Sequence, residues 1–419
     1  MVSVAGHQTQ AVRSVGSVRP GGRLIALDGL RGIAAFVVIL HHVYQVARPF
    51  VEPKVNAWAP GSLWWFISST PIKLLSAGSE SVLIFFVLSG LVVPLPLLAK
   101  GVRGWAGFFA SRLIRLYIPV WASLLFAMVV TDLLPHPAGA VTDGSWTQRS
   151  NTVWAPFSLA FSEAGLTRTA FPLNSVLWSL QWEVVFSITL PLFLLAALAL
   201  RRFWIPAIVV CFGLTVVGKV FDINALVYLP VFFLGTLLAV NLAAFRAWAQ
   251  RFRIRKHARL TGWLVLSGSL LAIVASWMLR PVLHAGTPLS DAVGSLTDIG
   301  ALGLVACAVG FGPVVSGLSM RVPQWLGKVS FSLYLTQLPI LIALVYLLGD
   351  NNWALVGVIG IPVDLGVAYL FFRFVEAPSH RLAQKVGRLA TRASERAYVR
   401  LRARHVARLA ASGPDPAYR

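Results

Sequence analysis

Charged residues are scarce in this sequence. Only 12% of its 419 residues are Asp, Glu, Lys or Arg, whereas about 25% is usual for a soluble globular domain. So few charges cannot cover a soluble domain of this size, and 57% of the residues are hydrophobic. Apolar runs near 20 residues recur along the chain, which is the length a helix needs to cross a ~30 Å hydrocarbon core. The composition predicts an all-α polytopic membrane protein.

Cysteine and acidic residues are also few. The only cysteines, Cys211 and Cys307, both fall in apolar runs, so a disulfide framework or a thiolate metal site is excluded, and we predict no metal centre. Lys and Arg number 36 against 15 Asp and Glu. In a soluble protein this excess would suggest a nucleic-acid partner. Here the position of the charges relative to the apolar runs explains it better, and we expect no nucleic acid.

Reading each long apolar run as one helix gives ten spans. They cover residues 30–47, 80–99, 115–134, 175–199, 203–220, 224–242, 261–279, 297–315, 327–348 and 353–375. If the N-terminus lies inside, 28 basic residues fall in inner segments, seven in outer segments, and Arg31 in the first span. This asymmetry agrees with the positive-inside rule. We therefore predict a bundle of about ten transmembrane helices with both termini cytoplasmic and its basic segments attracted to membrane lipid.

The chain divides into three predicted regions. Residues 1–23 lack helical periodicity and are expected to form a disordered cytoplasmic tail, residues 24–378 the membrane domain, and residues 379–419 a basic cytoplasmic tail. Arginines recur every four residues in the basic tail, from Arg388 to Arg400, which predicts a helix on the membrane surface. The longest outer loop runs from Asp132 to Asn174 and is long enough to help shape a binding site.

The first span contains four ionisable residues in the run LDGLRGIAAFVVILHHV: Asp28, Arg31, His41 and His42. Such residues inside a membrane are costly and mark functional sites by default. Arg31 and His42 are eleven residues apart, so they share one helix face about 16 Å apart along the axis. Measured from a span start near Leu30, His42 lies about 18 Å from the inner edge.

Two further sets of charges lie on other spans. Glu183, on the fourth span, is expected about 17 Å from the inner edge, a depth similar to that of His42. The two residues are either a catalytic pair or a buried structural pair, and equal depth does not show that they meet. Arg112 and Arg115, at i and i+3 of the third span, are placed to converge on one anion. Ordinary positive-inside anchoring is the alternative for these arginines.

The sequence resembles the membrane acyltransferase family 3, whose first-span signature is an arginine, ten residues and a histidine. Arg31 and His42 fit this pattern, whereas His41 is one residue early. Further motifs follow in the family's order over residues 24–382: FFVLSG at 85–90, RLIRLYIP at 112–119, WSLQWEVVFSITLP at 178–191, LGKVSFSLYLTQLP at 326–339 and FVEAP at 374–378. Each motif alone is weak evidence for the family, but the occurrence of all of them in the family's order on ten spans is specific.

Two positions depart from the family pattern. The family often has Gly-Val-Asp before the FFVLSG-like run, where this chain has Ser81, Val82 and Leu83, with Glu80 nearby but not at the matching position. The family commonly has a histidine where this chain has Gln337. Roles carried by that aspartate and that histidine elsewhere are therefore not transferred.

The resemblance implies an integral membrane O-acyltransferase of the bacterial cell membrane. It implies transfer of an acyl group, usually acetyl, from a coenzyme A thioester to a hydroxyl, commonly of a carbohydrate or glycoconjugate. Acyl-CoA is then a donor substrate, and no bound cofactor is expected. Arg31, Arg112 and Arg115 are placed to hold the donor's phosphates, since arginine binds phosphate in a fork. His42 and Glu183 are the catalytic candidates. His42 would act either as base or as an acylated intermediate, and Glu183 would either support His42 or bind the acceptor's hydroxyls.

Several residues form a second tier for which a structural role is the main expectation. These are Asp28, His41, Ser332, Tyr334, Gln337, Arg373 and Glu376. Two alternatives to carbohydrate acylation stay open. One is O-acylation of a secondary metabolite such as a macrolide. The other is a transporter or flippase of a cell-envelope precursor, in which intramembrane Arg, His and Glu would line a pathway; no inverted repeat of the usual transporter kind is found in the sequence.

Overall fold

The computed structural model describes residues 24–47, 60–100, 104–283 and 286–411, and this part of the chain is helical without a strand. Eleven helices carry the fold, and we number them in chain order. They are α1 Ile25–Gln45, α2 Gly78–Val92, α3 Trp105–Leu133, α4 Leu177–Leu200, α5 Trp204–Val220, α6 Asn224–Val240, α7 Ala258–Leu279, α8 Pro288–Gly310, α9 Arg321–Leu348, α10 Trp353–Phe371 and α11 Ala377–Ala411. The predicted disordered tail, residues 1–23, lies outside the described residues.

Short helices connect the long ones. They are Leu63–Ser69, the 3₁₀ turn Pro71–Ser76, Leu95–Lys100, Trp146–Ser150, Phe157–Glu163, Leu242–Arg253, Gly312–Leu318, the 3₁₀ turn Asp350–Asn352 and the π-helical turn Phe372–Glu376. The 3₁₀ turn Pro71–Ser76 starts with Pro71, and the side chain of Thr70 accepts a hydrogen bond from the Ile72 N–H, which fixes the start of the turn.

The helices confirm the predicted all-α membrane class. Within the described residues, eight helices are long and apolar enough to cross a membrane. A ninth span arises if α6 is joined to the helix Leu242–Arg253, from which it is bent by 69°. The remaining predicted span coincides with α5, whose 17 residues lie at the lower limit for crossing a bilayer. Each of the ten predicted spans thus overlaps a helix, and ten crossings remain a prediction.

Helix α1 lies in the middle of the bundle, where it packs against α9, α2, α8 and α10. It crosses α9 through glycines. A Cβ atom on Gly32 would lie 2.6 Å from the Pro323 carbonyl oxygen, and one on Gly327 would lie 2.6 Å from the Asp28 carbonyl carbon. Real side chains do not fit at such distances, so the two backbones touch. This contact fixes the height of every α1 side chain relative to α9.

The two ends of the bundle differ. The end at which α1, α3 and α9 begin we call the arginine-rich end; there Gln324 Nε2 donates to the Ile25 carbonyl at 2.9 Å. The opposite end, which carries the connection between α3 and α4, we call the loop end. There Asp350 Oδ2 accepts from the Thr142 N–H at 2.7 Å and from its hydroxyl at 2.6 Å, which holds the connection over α9.

The connection between α3 and α4 descends into the bundle. Asn174 Nδ2 donates to the Leu335 carbonyl at 3.0 Å. Leu335 lies fourteen residues into α9, about 21 Å from its first residue. The chain therefore reaches the middle of the bundle before α4 begins at Leu177, three residues later.

The basic C-terminal segment forms one long helix. It continues as the single helix α11 to Ala411 and packs against α3. The close contact lies at Gly107 and Gly387, where a Cβ on Gly387 would lie 2.9 Å from the Gly107 carbonyl oxygen. Arg388 and Arg392 are exposed on the other side of the helix. Residues 379–411 are thus a packed helix with an exposed basic face.

We predict that Gly327→Val destabilises the protein in detergent. The added methyl groups meet the α1 backbone, and overpacking of this kind costs about 1–3 kcal/mol. The matched control is Gly366→Val on α10, where an added Cβ meets nothing within 4 Å. Thermal unfolding followed by tryptophan fluorescence measures the effect, and equal midpoints for the two variants would contradict the glycine crossing.

Candidate active site

A cluster of charged side chains lies in the half of the bundle nearer the arginine-rich end. Arg112 of α3 donates from Nη2 to Glu183 Oε1 of α4 at 2.5 Å, and from Nε to Ser187 Oγ at 3.1 Å. Ser89 Oγ of α2 donates to the same Glu183 oxygen at 3.0 Å. Three helices thus contribute to one ion pair, and its two side chains are only 12% and 18% exposed.

The other two predicted donor-binding arginines lie next to this pair. Arg115 is within electrostatic reach of Arg31, Arg112, Glu183 and Glu376. Its i, i+3 spacing from Arg112 places both on neighbouring positions of α3. The structure therefore brings Arg31, Arg112 and Arg115 together, although they come from two different helices. The side chain of Arg115 keeps accessible surface at this position.

Glu376 supplies the second carboxylate of the cluster. Its Oε2 accepts from the Ser332 hydroxyl at 2.6 Å and from the Ser332 N–H at 3.2 Å, and Oε1 lies 3.6 Å from His380 Nε2. Glu376 is only 5% exposed. The π-helical turn Phe372–Glu376 ends at this residue, and such turns often lie at functional sites.

The cluster has the charge balance of an anion site. Three arginines face two carboxylates, so one positive charge is left over even when His380 is neutral. Glu183 is already paired with Arg112. Arg115, in contrast, forms no hydrogen bond or ion pair with the described residues. An exposed guanidinium without a bonded carboxylate can bind a phosphate in a fork.

His42 lies far from this cluster, in the last turn of α1. Its ring stacks on Trp146 of the α3–α4 connection, with centroids 6.0 Å apart and planes at 17°. Gln337 of α9 faces the ring without forming a well-shaped hydrogen bond, and His42 Nδ1 has no hydrogen-bond partner among the described residues. His42 is 8% exposed. It is therefore a buried imidazole with a nitrogen available for a substrate group.

The structure corrects the suggested support of His42 by Glu183. No hydrogen bond joins them; Glu183 binds Arg112 and Ser89 instead. The depth estimate assumed that α4 begins at the surface of the bundle. Because the preceding segment descends to the level of Leu335 first, α4 begins midway and Glu183 lies nearer the arginine-rich end. The suggested catalytic carboxylate is thus the ion-pair partner of Arg112.

The remaining second-tier residues are dispersed. His41 Nδ1 lies 3.0 Å from the Ser76 carbonyl oxygen, and its ring centroid lies 5.5 Å from that of His42. Tyr334 is bonded to Ser179 Oγ at 2.7 Å and donates to the Val176 carbonyl at 3.1 Å. Arg373 is exposed. Asp28 lies in the first turn of α1 at the glycine crossing. None of these four joins the Arg112–Glu183 pair.

Sequence reasoning missed three residues of this region. Ser89 is part of the FFVLSG motif, so the sequence pointed to it, but no role was predicted for it. No sequence pattern pointed to the other two, because Trp146 lies in an irregular connection and His380 lies on the predicted basic tail. Both reach the site through tertiary packing alone.

The α3–α4 connection contains a buried carboxyl group of its own. Glu163 accepts from the Leu173 N–H at 2.9 Å and the Asn174 N–H at 3.4 Å, which closes the loop that leads into α4. Glu163 lies outside the membrane-spanning helices and is fully buried. Burial raises its pKa to about 7, although the two N–H groups oppose this shift.

The chain was compared with known proteins. The acyltransferase domain model of acyltransferase family 3 matches residues 24–373. The chain belongs to acyltransferase family 3. O-acetyltransferase PaAT-1 of Phomopsis amygdali is 28% identical over 384 residues, covering 79% of this chain and 75% of that protein. No solved structure matches the chain.

Family membership establishes the class of the protein. This acyltransferase family 3 chain is an O-acyltransferase and a multi-pass membrane protein. The family motifs coincide with the cluster described above. Arg31, Ser89, Arg112, Glu183 and Glu376 each lie in one of them. An enzyme is therefore established over the transporter alternative.

We predict that Glu183→Ala lowers the thermal midpoint because it leaves Arg112 buried without its carboxylate. Removing one member of a buried ion pair costs about 3–5 kcal/mol. The double variant Arg112→Ala/Glu183→Ala is expected to recover part of the loss. Glu395→Ala, an exposed carboxylate on α11, serves as control. Additive losses in the double variant would show that the pair is not coupled.

We also predict a pH-dependent loop. A carboxyl group whose pKa is raised on folding contributes stability that is present at low pH and lost as pH rises towards about 7. Amide hydrogen exchange in residues 157–176, corrected for intrinsic rates, should therefore be faster at pH 8 than at pH 5. In Glu163→Gln this difference should vanish. The same pH response in both proteins would rule out Glu163 as its source.

Proposed function

We propose that the protein transfers an acyl group, acetyl in the simplest case, from a coenzyme A thioester to a hydroxyl of a carbohydrate or glycoconjugate. The observation that carries this proposal is the arrangement on α1: an arginine within an anion-binding cluster, and eleven residues later a buried histidine with a free nitrogen. The two are about 16 Å apart along the helix. The flexible pantetheine arm of coenzyme A suits a separation of this kind.

The donor's phosphates bind at Arg31, Arg112 and Arg115. Arg115 is the main contact because no described carboxylate is bonded to it and its side chain is accessible. Arg112 is held by Glu183 and Ser187, so its guanidinium group is fixed in position. Glu376 and Glu183 offset the repulsion among the three arginines when the donor is absent.

His42 acts as general base in the route we favour. It takes the proton from the acceptor hydroxyl, and the oxygen attacks the thioester carbonyl carbon. The carbon–sulfur bond then breaks, and the departing thiolate takes the proton from the His42 imidazolium. The products are the O-acyl ester and the coenzyme A thiol. Histidine suits this task because its unperturbed pKa lies near neutral pH.

A second route passes the acyl group through His42 itself. The imidazole nitrogen attacks the thioester, and the thiolate leaves and takes up the proton that the ring gives up. The acceptor hydroxyl then attacks the acyl-imidazole, and its proton returns to the ring nitrogen as the ester forms. Direct transfer needs fewer steps, which is why we favour it. The stacking of Trp146 against the ring restrains the imidazole in either route.

We further propose that the protein lies in a bacterial cell membrane as ten spans with the arginine-rich end on the cytoplasmic side. The 28 to 7 distribution of basic residues supports this orientation. Cytoplasmic coenzyme A thioester then enters beside Arg115, while His42 lies nearer the loop end. O-acylation of a secondary metabolite such as a macrolide is the alternative within the same chemistry.

The first test is acyl transfer by purified protein in nanodiscs, measured as free thiol released from acetyl-CoA with candidate acceptors. His42→Ala is expected to lower the acceptor-dependent rate by about 10²–10⁴-fold, the contribution of a positioned acid–base group. His257→Ala, an exposed histidine before α7, is the matched control. Full activity in a folded His42→Ala variant would remove His42 from the mechanism.

The donor site is tested by binding of coenzyme A. Arg115→Ala is expected to weaken binding about 10- to 100-fold, since hydrogen bonds to charged groups contribute about 1.5–3 kcal/mol. Arg202→Ala, an exposed arginine just after α4, should bind as the wild type does. Calorimetric titration measures both, and unchanged affinity in Arg115→Ala would place the phosphates elsewhere.

A further inference from the structure

A second group of polar and charged side chains, most of its charges buried, lies towards the loop end, between α2, α5, α7 and α8. We call it the loop-end polar cluster and define it by Lys73, Glu80, Lys219, Trp277 and Asp298. Its residues come from four long helices and one 3₁₀ turn, and the proposed reaction uses none of them. Ionisable groups buried in a membrane bundle are rare and mark substrate sites by default.

Glu80 is held by one oxygen only. Its Oε1 accepts from Trp277 Nε1 at 2.6 Å, whereas Oε2 has no hydrogen-bond partner among the described residues. Lys73 Nζ lies 4.0 Å from the centre of the same tryptophan ring and donates to the Ser76 carbonyl at 3.1 Å. Glu80 is 8% exposed and Lys73 is fully buried. Trp277 thus fixes one acceptor and one donor of the cluster.

Asp298 has no partner for either oxygen within the described residues and is 1% exposed. Thr215 lies beside it, but the Thr215 hydroxyl donates to the Cys211 carbonyl at 3.0 Å, so its proton is already used. Lys219 lies within electrostatic reach of Asp298 and Glu80, yet no hydrogen bond joins it to them. Three carboxylate oxygens are therefore free to accept, which is costly unless a ligand supplies donors.

The charges of the cluster cancel. Lys73 and Lys219 balance Glu80 and Asp298, and the neighbouring Arg280 and Asp291 also cancel each other, so an ion gains little net attraction there. Free carboxylate oxygens beside ammonium groups instead offer acceptors and donors together. A neutral molecule with several hydroxyl groups matches both, because each hydroxyl donates one hydrogen bond and accepts others.

The cluster adjoins the candidate base. A Cβ on Gly78, the first residue of α2, would lie 2.7 Å from Cδ2 of His41, which neighbours His42 in the chain. Glu80 follows two residues later. The His41 ring and the Lys73 ammonium contact the same Ser76 carbonyl. The first turn of α2, which carries Glu80, is therefore packed against the end of α1 that carries the two histidines.

We propose that the loop-end polar cluster is the site that binds the hydroxyl groups of the carbohydrate acceptor. Glu80 and Asp298 accept hydrogen bonds from its hydroxyl groups, and Lys219 donates to its oxygens. This proposal rests on the proposed function, which it deepens by assigning the acceptor site. The hydroxyl to be acylated is then the one that extends from the cluster to His42.

The test uses the full chain in nanodiscs with acetyl-CoA and four acceptor probes: sucrose, cellobiose, chitobiose and the macrolide erythromycin. Asp298→Asn and Glu80→Gln are expected to raise the KM for the sugar used by wild type at least about tenfold, as loss of a hydrogen bond to a charged group does. The affinity for coenzyme A, which is proposed to bind at the arginines of the opposite end, should stay unchanged.

The matched control is Asp364→Asn. Asp364 of α10 is also fully buried with both oxygens unpartnered among the described residues, but it lies outside the cluster. It experiences the same chemical change, so its KM reports any general effect of removing a buried carboxyl. Thermal midpoints check that all variants are folded. Calorimetric titration with the sugar in the absence of acetyl-CoA measures acceptor binding without any turnover.

The outcomes separate the two proposals. If wild type and Asp298→Asn release thiol with the same KM for the sugar, the acceptor site is overturned. The same holds if the KM rises as much in Asp364→Asn as in Asp298→Asn. Either result leaves O-acyl transfer to carbohydrate intact. Transfer to erythromycin alone overturns the carbohydrate class. If wild type does not bind coenzyme A, the proposed donor and the proposed reaction are overturned. If wild type still binds the sugar and Asp298→Asn weakens that binding, the loop-end polar cluster remains supported as a sugar site.

Discussion

Backbone contact between α1 and α9 sets the other distances in the functional half of the bundle. At Gly32 and Gly327 the two helices approach so closely that no Cβ fits, and this fixes their relative height. Arg31 is therefore held at the level of the charged cluster, and His42 at the level of Gln337. If the crossing were not rigid, the eleven-residue separation of Arg31 and His42 would not set a defined distance between the proposed phosphate site and the proposed base. A shift of about 1 Å in such a geometry is enough to lose much of the rate.

The charges inside the bundle are accommodated in two different ways. At the arginine-rich end they are paired: Arg112 with Glu183, and Glu376 with the hydroxyl and N–H of Ser332. Pairing offsets the desolvation cost and leaves one net positive charge for a ligand. At the loop end Asp298 and Glu80 retain unbonded oxygens although the summed charge is near zero. The first arrangement suits a charged ligand and the second a neutral one, in keeping with two substrates of different polarity.

The helical class, the position of the spans and the convergence of the arginines could be predicted from the sequence. Hydrophobic length alone places the helices, and i, i+3 spacing places Arg112 and Arg115 together. The partner of Glu183 could not be predicted, because its height depends on how far residues 134–176 descend before α4 begins, and an irregular segment carries no periodic signal. Nor could the loop-end polar cluster. Lys219, Trp277 and Asp298 are far apart in sequence, and only the packing of three helices brings them near Glu80.

The docking of α11 on α3 has a consequence for regulation. Gly387 touches Gly107 two turns before Arg115 on the same helix, so α11 braces the segment of α3 that carries Arg112 and Arg115. The outer face of α11 carries exposed arginines that anionic lipid attracts. We therefore expect anionic lipid to affect how firmly α11 is held against α3, so that the membrane acts as an effector as well as a solvent.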